Sequence, residues 1–189
     1  MFGFTGRTVA ISFGPLTSKR TLVGYRIGGT DWTFVNVTAG ATQVFVDEKF
    51  FAAVFNINAT TAIPPDEQQQ QQPQRFELRV ASWDAGVQVD RVRVGPGKRL
   101  VPVPRYDRAI EFIGDSLSAG MYQAREGLAS FAFDVGAGFG DTEYAVIAYP
   151  GICAADHACC NNSRGQAHQW FYTSDTSKRA DRIWGGRFQ

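Results

Sequence analysis

Ser116 is the residue best placed to do chemistry. It lies in Gly114-Asp115-Ser116-Leu117-Ser118, after the short apolar run 109–113 and before a stretch to about Gly127 that reads as helical. A serine between a strand and a helix stands at the carboxyl edge of a sheet, where open α/β folds place their sites. Its own amide, near a helix N-terminus, can help hold a developing oxyanion. The chemistry implied is acyl transfer with the hydroxyl as nucleophile. A plainer reading competes with it. Asp and Ser are both favoured N-cap residues, so Asp115 and Ser116 could simply cap the helix. The segment is not the G-x-S-x-G elbow, because Ser118 replaces the second glycine.

A second cluster lies downstream. Cys153, His157, Cys159 and Cys160 offer four potential ligands within eight residues. Zinc sites are closed by separated ligand pairs, and the adjacent Cys159 and Cys160 cannot easily both face one ion, so no metal is expected. The other reading is a local disulfide from Cys153 to Cys159 or to Cys160, which leaves one thiol over in an exported protein. Export is also the reading of three N-glycosylation patterns, at Asn36, Asn58 and Asn161. The start, Met1-Phe2-Gly3-Phe4-Thr5-Gly6-Arg7, is no signal peptide and runs almost at once into a strand pattern. The expectation is a secreted protein whose true N-terminus lies upstream. Gly136-Ala137-Gly138-Phe139-Gly140 has a glycine one place too early for a dinucleotide fingerprint, and would need a strand over residues 131–135 before it.

These residues must be held by a particular set of elements. The chain has 189 residues, 44% apolar, 13% aromatic and 20% charged, with 19 basic against 18 acidic side chains and a net charge of +1. That is a globular composition without a polyanion-binding bias, so no nucleic-acid partner is expected. No apolar run approaches the ~20 residues of a membrane helix, so no membrane partner is expected either. The first hundred residues read as an all-β domain. Alternation over residues 8–13, 21–27, 34–38 and 75–80 sets one apolar face on each segment, and Val44 and Val46 continue the pattern. Phe51, Ala53, Phe55 and Ile57 read as a further strand. Residues 87–94 switch phase at Asp90-Arg91, which implies a bulge or burial on both faces. Residues 63–73, with five consecutive glutamines, read as a solvated insertion. Seven strands between Gly, Pro, Thr and Asp turns imply a β-sandwich or jelly roll over residues 1–104, with Asn36 pointing outward.

Residues 95–104 are a Pro/Gly-rich connector, and the pattern changes after them. A strand at 109–113, helices to about 127 and over 131–139, and a strand at 144–148 make a βαβ unit with parallel strands. The last forty residues show little periodicity beyond a helical turn near 178–184.

Residues 110–120, Ile110-Glu111-Phe112-Ile113-Gly114-Asp115-Ser116-Leu117-Ser118-Ala119-Gly120, resemble the first conserved block of the SGNH (GDSL) hydrolases. A β-sandwich before that block resembles the layout of carbohydrate esterase family 2, and more closely its fungal SGNH-type relatives. Tyr149-Pro150-Gly151-Ile152 is similar to the second block. The resemblance implies an esterase or deacetylase, needing no cofactor, that takes an acylated carbohydrate or a small ester. Ser116 would be the nucleophile, and the amides of Ser116 and Gly151 would form part of an oxyanion hole. The departures are specific. The chain has no Asn-Asp pair, which the third block carries. Its two histidines, His157 and His168, follow Ala154 and Gly165 by three residues and so lack the Asp-x-x-His of the fifth block. The expectation is a partial α/β domain over residues 105–189, its catalytic machinery cut short and its activity impaired. The alternative is a non-catalytic carbohydrate-binding sandwich beside an inert hydrolase remnant, with Trp32, Trp83, Phe34 and Tyr25 as candidate platforms. The sequence gives no oligomeric state.

Overall fold

A computed structural model describes residues 1–55, 72–103 and 105–171. The chain divides into two compact units, Met1–Arg105 and Tyr106–Gln189.

The first unit runs β1 (Phe2–Phe4), β2 (Val9–Phe13), β3 (Thr21–Ile27), β4 (Thr33–Val37), β5 (Thr42–Val46), α1 (Glu48–Val54), β6 (Gln74–Val80), β7 (Val89–Val94) and β8 (Leu100–Val101). The strands form a five-stranded sheet, β4-β3-β6-β1-β8, and a three-stranded sheet, β5-β2-β7. Every pairing is antiparallel. Alternation in the sequence becomes a buried face: Val9, Ile11 and Phe13 from one sheet meet Phe4, Val23, Tyr25, Ile27 and Phe76 from the other in one apolar core. Phe45 is its hub, with ring centroids 5.0 Å from Tyr25 and 5.7 Å from Phe76, both edge-on. Such pairs add about 0.5–1.5 kcal/mol each beyond the area they bury.

One polar cluster interrupts this apolar economy. Glu77 on β6 is buried, and accepts from Arg26 Nε (3.1 Å) and Nη2 (3.2 Å) and from Arg75 Nη2 (2.6 Å). Burial pushes its carboxyl up, but the hydrogen bonds and charges of Arg75 and Arg26 outweigh that and hold it below its ordinary value. Arg26 also lies 4.7 Å above the Trp32 ring.

Four expectations are corrected here. The segment containing Phe51, Ala53 and Phe55 is a helix, not a strand. Asp47 caps it by accepting from Phe50 N at 2.7 Å, Glu48 supplies a negative charge in the first turn, and Phe51 and Phe55 stack one turn apart at 4.6 Å. Spacing of two and of four share alternate residues, and the cap decides between them; Ile57 lies outside the described residues. Val44 and Val46 do not share a face, because a bulge opposite Val9/Ala10 turns both Phe45 and Val46 inward and leaves Val44 54% exposed. The connector contains β8, whose Val101 and Leu100 pair with Gly3 and Phe4. Tyr25 is a core residue and no ligand platform. The phase switch in β7 is a bulge, since Arg91 pairs with Ser12 and Val89 with Phe13, leaving Asp90 unmatched. Asn36 is exposed on β4. The glutamine insertion, Asn58 and the turn at 178–184 lie outside the described residues.

The second unit carries β9 (Arg108–Gly114), the one-turn helix α2 (Ser116–Ala119), a 3₁₀ turn (Glu126–Ala129), α3 (Phe131–Gly138), β10 (Thr142–Ala148) and a short α4 (Gln166–Gln169). β9 and β10 are parallel and in register from Arg108↔Thr142 to Gly114↔Ala148; among the described residues this sheet has two strands. α3 packs on it through Phe131 against Phe112 and Phe133 against Tyr144. The helix after Ser116 is shorter than its sequence implied, because Gly120 takes a left-handed φ of +70° and ends it after one turn. The glycine-rich run belongs to the end of α3, with no strand before it. A Cβ on Gly136 would lie 2.4 Å from the Tyr144 ring, so that glycine serves close helix–strand packing and not a nucleotide.

Candidate active site

The site begins where β9 runs out. Gly114 closes the strand, and Asp115 caps α2 by accepting from Leu117 N at 3.0 Å, while its carbonyl accepts from Ala119 N at 3.0 Å. Asp115 alone does the capping. Ser116 is therefore the first helical residue, a position whose N–H has no acceptor within a helix. It is half-buried, and its hydroxyl makes no hydrogen bond to any described residue. A hydroxyl that does not cap the helix is available to a ligand. Leu117 beside it is 75% exposed and Tyr122 90% exposed.

The second strand brings its own turn to the same edge. Tyr149 N donates to Gly114 O at 3.2 Å, continuing the parallel ladder by one bond beyond β10. Ile152 N then donates to Tyr149 O at 3.1 Å, closing a turn with Pro150 second and Gly151 third. Gly151 has φ +77°, which the third position of a type II turn requires. Ser116 and Gly151 thus each lie two residues beyond a pair of hydrogen-bonded strand ends. Ser118, which stands in place of the elbow glycine, is buried against Gly114: a Cβ there would sit 2.8 Å from Ser118 Cβ.

A compact loop follows the turn. Cys153 and Cys159 are disulfide-bonded and Cys160 is a free, exposed thiol, so the pairing left open by sequence is resolved. Cys153, His157 and Cys159 bring ligand atoms within 4.8 Å of one another. Two of those atoms are joined in the bridge, and a disulfide sulfur has no thiolate charge with which to hold an ion. Arg164 donates to Asp156 through its Nε and Nη2 and, with Gly165 N, lowers its carboxyl to about 2. His157 is exposed and His168 half-buried in α4; no hydrogen bond joins either to Ser116 among the described residues. Asn161 is exposed. Two supporting residues had no signal in the sequence: Asn162 Nδ2 donates to Pro150 O at 3.1 Å, and Gln166 Nε2 donates to Ile147 O at 3.4 Å.

No family model and no curated protein sequence matches the chain. Solved structures do. A carbohydrate esterase family 2 enzyme with a carbohydrate-binding domain from Corynascus thermopiles (Myceliophthora fergusii) superposes with a TM-score of 0.62 at 17% identity, over 97% of this chain and 55% of that one. A family two carbohydrate esterase from Clostridium thermocellum in complex with cellohexaose gives 0.63 at 14% identity, over 91% and 50%. The acetyl xylan esterase Est2A from Butyrivibrio proteoclasticus gives 0.63 at 16% identity, over 93% and 47%. The chain spans about half the length of these proteins. In fold, over 91–97% of its length, the chain is similar to the carbohydrate esterases of family 2, an SGNH-type family.

Proposed function

We propose that the chain is the sandwich and leading half of the hydrolase domain of a secreted, N-glycosylated ester hydrolase that removes acyl groups from carbohydrates. Ser116 is the nucleophile, and the amides of Ser116 and Gly151 receive the oxyanion. The first unit is read as a jelly roll. The observation that carries this reading is the uncommitted Ser116 hydroxyl at the strand edge it shares with the Gly151 turn. The likeness in fold to carbohydrate esterases supports the substrate class.

In the reaction, Ser116 Oγ adds to the ester carbonyl, its proton passes to a base, and the negative oxygen is held by backbone N–H groups. Collapse expels the sugar alcohol and leaves an acyl-serine, which water cleaves to the free acid. Among the described residues no hydrogen bond links the Ser116 hydroxyl to a base, and the chain has neither the Asn-Asp pair nor the Asp-x-x-His pattern. A serine without a base is a weak nucleophile, and one lost oxyanion donor alone costs about 10²–10³ in rate. Turnover by this chain is therefore impaired, and a single covalent event is the appropriate measurement. A fluorophosphonate probe should label the Ser116 peptide slowly, faster as pH rises and hydroxide replaces the base. Labelling that persists unchanged in Ser116→Ala refutes the assignment. Expression through a eukaryotic secretory route should add peptide-N-glycosidase-sensitive mass at Asn36 and Asn161.

The missing base also favours a second reading, a sugar-binding sandwich without catalysis, for which Trp32, Trp83 and Phe34 remain half-exposed. Glycan binding by the chain that survives Ser116→Ala, with no labelling in either protein, supports it.

A further inference from the structure

The turn that presents Gly151 does not stand by itself. Three groups of the cysteine loop converge on it. Asn162 Nδ2 donates to the Pro150 carbonyl at 3.1 Å. Cys159 Sγ lies 3.4 Å from the Gly151 carbonyl oxygen, a contact in which a bridged sulfur donates no proton. Cys160 packs so closely that a Cβ on Gly151 would be 2.8 Å from Cys160 Cβ. The loop is itself folded tightly. Cys159 and Asn162 exchange both backbone hydrogen bonds, at 2.9 and 2.8 Å, across Cys160 and Asn161, whose φ angles are +46° and +70°. That is the geometry of a type I′ hairpin turn. Its far end returns to the strand, with Gln166 N on Cys153 O at 2.7 Å and Gln166 Nε2 on Ile147 O at 3.4 Å. Gly165 lets it close, since a Cβ there would be 1.7 Å from Ala155 O.

We infer that the Cys153–Cys159 bridge and Asn162 form a redox-sensitive brace that fixes the Pro150-Gly151 turn and, through it, the reactivity of Ser116; the second half of this statement rests on the esterase reading. The bridge closes a ring with a sequence separation of only six, so its constraint is local: it holds Cys159 against Gly151 O more than it restrains the unfolded chain. Reduction by a dithiol is balanced. One thiolate of the dithiol attacks a bridge sulfur, the other displaces the mixed disulfide, and the dithiol leaves as its cyclic disulfide. Two electrons and two protons go to Cys153 and Cys159, which separate as thiols. Cys159 is then free to leave the turn, and Asn162 loses the partner strand that aims its amide.

The test uses the whole chain in a Cys160→Ser background, so that no exchanged bridge can form. Hydrogen exchange of the peptide covering residues 149–152 and fluorophosphonate labelling of Ser116 are compared before and after dithiothreitol, and in Asn162→Asp with the bridge intact. Asn162→Asp keeps the side-chain shape but puts an acceptor against the Pro150 carbonyl. Both perturbations should raise exchange in the turn about tenfold and lower labelling about tenfold, while peptides from β2, β3 and β6 stay unchanged. Turn exchange and labelling that are both indifferent to reduction overturn the brace and leave the esterase reading standing. Faster turn exchange with no Ser116 labelling in any state upholds the brace at the turn and overturns its link to catalysis, together with the esterase reading. The Asn162→Asp arm needs no reductant, so it remains informative if the reduced loop unfolds.

Discussion

Gly114→Ala is the sharpest probe of how the serine is seated. The added methyl would stand 2.2 Å from Ser118 Oγ and 2.8 Å from Ser118 Cβ. The hydroxyl can rotate away, but the Cβ is fixed to the helix backbone. α2 must therefore retreat by about 0.6 Å to bring 2.8 Å to an ordinary 3.4 Å contact. Ser118 is buried and α2 is a single turn whose first residue is Ser116, so that retreat moves Ser116 by a similar amount. Overpacking of this kind costs roughly 1–3 kcal/mol. Ser118→Gly removes the obstructing atom at a helix-propensity cost of about 0.5 kcal/mol. The double variant should then recover most of the loss, with a coupling of at least about 1 kcal/mol, whereas Ser118→Ala, which keeps the Cβ, should recover little. Native-state hydrogen exchange of peptides covering β9 and β10 measures all four corners of the cycle. Additive single-variant effects would refute the steric argument.

Other outcomes follow from named contacts. Glu77→Gln keeps the shape but leaves Arg26 and Arg75 facing a neutral amide; with these side chains 20% and 32% exposed, the loss of first-unit stability should be about 1–3 kcal/mol in urea unfolding. Because Glu77 titrates below its ordinary 4.5 when folded, its contribution is complete above that pH and disappears as pH falls below it; Glu77→Gln should flatten this acid dependence. Asp156, at about 2, keeps its Arg164 link at pH 4 and loses it as pH falls toward 2, which exchange in the peptide covering residues 153–165 should report. Asp47→Ala should cost about 1 kcal/mol by removing the cap of α1. A non-reduced digest should return Cys153 joined to Cys159, with Cys160 alkylated.

What could be read from sequence was what repeats locally. Val9, Ile11 and Phe13, or Phe76 between Arg75 and Glu77, announce a buried face by alternation alone, and the apolar runs either side of α3 announce a parallel pair. What could not be read depended on one contact far away or on one residue out of step. The bulge at Phe45 exists only relative to β2, and β8 is too short to be seen without β1 beside it. α1 is hidden in the sequence because its deciding residue, Asp47, lies outside the apolar pattern. Around β9 and β10 the motif singles out Ser116 and Gly151, but only the geometry separates the capping carboxylate of Asp115 from the uncapped hydroxyl of Ser116. Asn162 and Gln166 act through amide hydrogen bonds to carbonyls, which leave no periodic trace.

The antiparallel pairing of β1 with β8 has a mechanical consequence. Gly3 faces Val101 and Phe4 faces Leu100, so the entry and exit of the first unit lie side by side at one end of the ladder. Tension applied between residues 1 and 105 loads these pairs one after another, as in peeling, and never all together in shear. The unit should open at low force from this seam, while the aromatic interior behind it stays closed until the seam has parted.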